Sequence, residues 1–70
     1  MADDQGRNDE RAKRRRKHQR AATTHEQAAR TDREAADTEE LFGEAEAAED
    51  HRDDARRHEA AADNERHRAD

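Results

Sequence analysis

The residue pattern predicts an all-α protein: a two-helix antiparallel hairpin with an alanine-rich, coiled-coil-like seam. Three observations lead there. Alanine doublets recur at intervals of seven, at Ala21-Ala22, Ala28-Ala29 and Ala35-Ala36. A second series, Ala48, Ala55, Ala62 and Ala69, keeps the interval but not the heptad phase. Gly43, the one glycine within the body of the chain, lies between the two series directly after Leu41 and Phe42. A seven-residue apolar interval keeps one stripe of a helix facing a partner, and glycine suits the left-handed residue that ends a helix. Folding the chain back at residue 42 sets Ala36 opposite Ala48, Ala29 opposite Ala55 and Ala22 opposite Ala62. The layers between then bring Asp32 to Arg52 and His25 to Glu59.

Taken in order, residues 1-8 read as a disordered N-terminus and 9-41 as the first helix, which includes the basic run 11-20. Asn8 is a suitable N-cap for that helix, with Asp9 and Glu10 in the first turn. Pairs such as Glu10 with Arg14 and Glu26 with Arg30 support it at i, i+4. Leu41, Phe42 and Gly43 mark the turn, placed at 42-44, and Leu41 with Phe42 would plug it. The second helix spans 45-68, with Glu46 and Glu49 near its start and Arg66, His67 and Arg68 near its end, and 69-70 form a tail. Glu39 and Glu40 stand against this reading, because they would lie at the negative end of the first helix.

Two other states compete with the hairpin. The step of eleven from Ala36 to Ala47 would keep a stripe continuous along one long helix. Sixteen of the nineteen hydrophobic residues are Ala, and half the chain is charged, a composition typical of disorder. A buried methyl contributes roughly 0.8 kcal/mol at best, against about 1.5 kcal/mol of conformational entropy for each residue ordered. An alanine seam is therefore weak, and self-association or a partner helix is the expected remedy.

Composition also closes several functions. The chain has no Ser and no Cys, hence no usual nucleophile, disulfide or thiolate site. Two short helices enclose no cleft in which a carboxylate could be tuned, so catalysis, cofactors and a small-molecule substrate are not expected. His51, Asp54 and His58 share a helix face, but His51 and His58 lie about 10 Å apart along one helix, too far to share a metal. The five histidines read as solvated surface groups with a mild charge change near pH 6 to 7, and Thr24, Thr31 and Thr38 as tolerated seam positions. Leu41-Phe42 is the longest run of large apolar residues, so no membrane span is expected, and a cytoplasmic location is the default reading. Thirteen Arg against two Lys is what GC-rich codons produce, which points to a bacterial source.

The feature with a binding chemistry is the run Arg11, Lys13, Arg14, Arg15, Arg16, Lys17 and Arg20, seven cations in ten residues with no acid among them. Such a block could contact phosphates and attach to nucleic acid with low specificity and strong salt dependence. No aromatic side chain accompanies it to stack on bases. Like charges at helical spacing repel, so the run should be the least ordered part of its helix.

The segments His18-Gln19-Arg20-Ala21-Ala22, His25-Glu26-Gln27-Ala28-Ala29 and Asp32-Arg33-Glu34-Ala35-Ala36 precede an apolar pair beside Gly43 and a second segment carrying His51-Arg52. This order resembles small uncharacterised bacterial proteins built from His-Glu-x-Ala-Ala heptads, over about residues 18 to 68. The resemblance implies a helical hairpin and supplies shape without a function. Thr or Asp stands here where those proteins carry Leu. The composition is also similar to that of late-embryogenesis-abundant stress protectants, whose eleven-residue repeat this chain lacks. The function expected from the sequence is a non-enzymatic helical module acting by weak self-association or partner helix pairing. The alternatives are a nucleic-acid-associated basic arm and a hydrophilin-like protectant.

Overall fold

The computed structural model describes residues 2 to 69, with side-chain exposure from Gly6 onward. It contains two helices, α1 (Ala2–Leu41) and α2 (Ala45–Ala69), packed along one another as an antiparallel hairpin. The molecule measures 63 × 13 × 10 Å. At 1.5 Å per residue the 40 residues of α1 span about 60 Å, so α1 alone sets the length. The 25 residues of α2 cover a little over half of it.

A Schellman turn reverses the chain. Gly43 adopts φ of 75°, its N–H donates to the Glu40 carbonyl at 3.0 Å, and the Glu44 N–H donates to the Glu39 carbonyl at 2.8 Å. These two bonds satisfy carbonyls that the end of α1 would leave unpaired. The Glu44 carbonyl in turn accepts the Ala48 N–H at 3.0 Å and starts α2. Leu41 and Phe42 occupy the turn region as expected but do not plug it, being 87% and 77% exposed. The reason is angular: the positions of this turn that face the seam are held by Ala36, Glu39 and Ala48, and the two apolar side chains project away from them.

The interior is a line of methyl groups. Ala22, Ala29, Ala36, Ala48, Ala55 and Ala62 are at most 2% exposed and Ala69 is 8% exposed, and no larger side chain is buried among the described residues. The first alanine of each doublet, Ala21, Ala28 and Ala35, lies half-buried beside its partner. The seam predicted from the two alanine series is therefore the one that forms, and the hairpin itself consumes it.

Several local expectations are corrected. Helix α1 begins at Ala2 rather than residue 9: Asn8 does not cap it, because the acids in the first ten residues suit the positive end of a helix that starts earlier. Helix α2 runs on to Ala69; of the expected end segments, Met1 and Asp70 lie outside the described residues. The basic run is helical throughout. Its side chains radiate at about 100° per residue into solvent, and Arg, Lys and Ala are strong helix formers. Thr24, Thr31 and Thr38 are exposed, and each hydroxyl donates to the carbonyl four residues back, at 3.0 to 3.1 Å. They lie on the face opposite the seam.

Candidate functional site

Two arrangements of charged side chains stand out on this scaffold, one at the open end of the rod and one along its seam. At the open end α1 continues past the last turn of α2, where Arg15 Nε donates to the Ala69 carbonyl at 3.2 Å. The helical period splits the seven cations into two sets. Arg11, Arg14 and Arg15 lie on the side of α2 and, with His18, Arg68 and Ala69, line a cleft of about 310 Å³. Lys13, Arg16, Lys17 and Arg20 fall within one arc of about 100° opposite the seam, and all four are exposed. Asp9 lies at the N-terminal edge of that arc. The predicted anion contacts are thus all helical and close together, but no single flat surface can meet all seven at once.

Along the seam, the layers between the alanines are polar and differ from those the sequence suggested. Arg52 pairs with Glu40, at 2.6 Å, and with Asp37, at 3.5 Å, instead of Asp32. Glu59 pairs with Arg33 instead of His25. The seam positions of α2 are 51, 58 and 65, one residue before those assumed. His18 Nδ1 donates to Glu65 at 2.5 Å, and His51 Nδ1 donates to Glu39. The Nδ1 atoms of His25 and His58 are 3.0 Å apart, one donating to the other. His58 Nε2 stands 3.9 Å from Asp32. The Asp32 carboxylate also favours the charged form of His51.

The result is one ladder between the helices: His18, Glu65, His25, His58, Asp32, His51 and Glu39, all half-buried. Four of the five histidines belong to it, so they are not the solvated surface groups expected. Only His67 is outside, with Nδ1 on the Asp63 carbonyl of its own helix. The hydrogen bond to Glu39 raises the His51 pKa above its ordinary value; burial works against this, and the charges of Glu39 and Asp32 add to it. The hydrogen bond from His18 lowers the Glu65 pKa.

Outside the ladder one flank carries cross-helix ion pairs. Glu26 meets Arg66, Arg33 meets Glu59, and Glu40 meets Arg52. Both partners step by seven, and the sign alternates along each helix. Sequence reasoning missed this, although the alternation of residues 26, 33 and 40 against 52, 59 and 66 is visible in the sequence. It also answers the objection raised by Glu39 and Glu40: α2 supplies His51 and Arg52 to them, and the Arg52 hydrogen bond and charge lower the Glu40 pKa.

Among the described residues no three His, Asp or Glu side chains are grouped to hold a metal ion. Asp54, once grouped with His51 and His58, pairs instead with Arg57 at 3.0 Å. No described helix is long and apolar enough to cross a membrane. Fold and site together define an all-α helical hairpin with a cationic end and a histidine-carboxylate seam. No family model, no curated protein and no solved structure matches the chain.

Proposed function

We propose that this protein is a non-enzymatic helical interaction module that engages a polyanion, nucleic acid being the simplest, through the cationic end of a stiff rod. The observation that carries this reading is the division of labour between faces. The alanine stripes are spent inside the hairpin and offer nothing to another helix, whereas the basic run remains exposed on α1. Recognition would be electrostatic and indifferent to sequence. Lys13, Arg16, Lys17 and Arg20 reach a backbone as point charges and guanidinium forks, and no aromatic platform reads bases.

The test is binding to a short DNA duplex measured against salt. Four phosphate contacts from the outward arc give a slope of about −3.6 for log K against log salt, hence a loss of roughly 10²-fold between 50 and 200 mM. Replacing Lys13, Arg16, Lys17 and Arg20 with Gln should abolish binding and leave the helical signal intact. Binding that is absent at low salt, or that survives this replacement, refutes the reading. Partner helix pairing and self-association then become the better account, and sedimentation against concentration would detect the latter.

A further inference from the structure

We infer that the seam ladder is a proton-operated clasp, closing the hairpin when its imidazoles carry protons and loosening it when they give them up. This stands apart from polyanion binding and uses different residues. The ladder interleaves four imidazoles with three carboxylates, so neutral histidines would leave Asp32 and Glu39 in a half-buried strip without the imidazolium partners that face them, whereas Glu65 keeps Arg68 at 4.0 Å. The Nδ1 atoms of His25 and His58 are 3.0 Å apart across the seam, close enough that like charges on both rings would repel.

Every neighbour on both helices bears on the outcome. His51 faces Glu39 and Asp32 on α1. His58 faces His25 and Asp32 on α1. His25 faces His58 on α2. His18 faces Glu65 on α2 and shares a cleft with Arg11, Arg14, Arg15 and Arg68. His51, at the end of the ladder nearest the turn, is the imidazole whose pKa the seam raises, through its hydrogen bond to Glu39.

The direction of the pH response follows. The His51 pKa is raised by folding, so its contribution is fully present below the unfolded value of about 6.5 and is lost as pH rises through the folded value. The Glu65 pKa is lowered, so its contribution is present above about 4.3 and is lost as pH falls through the folded value. The hairpin should be most stable between about pH 5 and 6.5 and loosen above that window. With so little apolar surface behind the seam, losing these pairs matters more than it would in an ordinary core.

Thermal unfolding of the full chain by circular dichroism, at fixed ionic strength, reads this directly. The expected result is a midpoint at least about 4 °C lower near pH 8 than near pH 6. His51→Gln, and more so the His18→Gln, His51→Gln double variant, should flatten that difference. His67→Gln removes the same titrating group outside the ladder and should preserve it. A wild-type midpoint that does not fall, or a fall retained in full by the double variant, overturns the clasp. Should the variants fail to fold, the wild type still decides: refolding near pH 7 in weak buffer must take up protons, and the His51 imidazole must titrate higher in the folded chain than in the heat-unfolded one. Absence of either result also refutes it.

Discussion

Reversing one charge on the ion-paired flank tests whether that flank sets the register of the hairpin. In the observed alignment Glu26, Arg33 and Glu40 oppose Arg66, Glu59 and Arg52. A slip of one heptad in one direction sets Glu26 against Glu59 and Arg33 against Arg52. A slip in the other sets Arg33 against Arg66 and Glu40 against Glu59. Either slip exchanges three attractive pairs for two repulsive ones. At about 0.5 kcal/mol for each exposed pair, gained or lost, a slip costs roughly 2.5 kcal/mol, a decisive amount where the alternative registers bury similar alanine methyls.

Arg33→Glu removes the central attraction and places a carboxylate against Glu59, so it should destabilise the hairpin by about 1 kcal/mol, or about 4 to 8 °C in thermal midpoint for a chain of this size. Glu59→Arg should do the same. The double variant restores an opposite-charge pair and should recover most of the loss, a coupling that only direct contact explains. Circular dichroism melts of the four proteins in low salt supply the cycle, and about 0.5 M salt should shrink the coupling by screening. Single variants that lose nothing, or a double variant no better than their sum, would show that register is fixed elsewhere.

The remaining predictions concern the turn and the interior. Gly43→Ala meets open space, so its cost comes from the φ of 75° alone and should be about 1 to 2 kcal/mol in denaturant unfolding. Ala29→Asp places a carboxylate where the native residue is 2% exposed, within the line of buried methyl groups, and should abolish the helical signal at room temperature. Replacing both Leu41 and Phe42 with Ser should leave the unfolding free energy within about 0.5 kcal/mol of the parent, because both stand in solvent.

How far the sequence carries depends on which force places each residue. The buried line was legible from Ala22 to Ala62, because a methyl stripe at seven-residue spacing on each helix can pack against the other stripe and a glycine between them marks the reversal; Ala69, read as part of a tail, joins it because α2 runs on to that residue. Gly43 was legible for the same reason: its backbone conformation is a local property. The start of α1 was not, since several acidic residues and Asn8 offer alternative first turns, and extension of the helix to Ala2 depends on small propensities. The polar layers were misplaced by one position on α2. Ala62 with Glu65 and Ala62 with Arg66 are both allowed spacings of a seam, and the choice falls on positions 51, 58 and 65 only once both helices are laid together. At the candidate site, the cations of the basic run were readable as a group, but their division into an outward arc and a cleft beside Ala69 requires knowing where α2 ends.

An ordinary helical pair derives both cohesion and specificity from large apolar knobs, and this chain separates the two. Alanine lets the helices approach closely while supplying little cohesion, which shifts the choice of register, and much of the margin of stability, to ion pairs and imidazoles at the edges of the seam. Those terms depend on the medium in a way that methyl burial does not. Added salt weakens the flanking pairs and, by the same screening, the contact between the basic end and a polyanion. Rising pH discharges the ladder but leaves the arginines charged. Salt should therefore lower folding and binding together. A pH step from about 6 to 8 should loosen the hairpin and spare the Arg and Lys charges of the cationic end, so that an isolated peptide of the basic run carrying His18→Gln keeps its affinity across that step. If peptide and full chain lose affinity together as pH rises, the titrating groups act on the bound polyanion itself and the separation argued here fails.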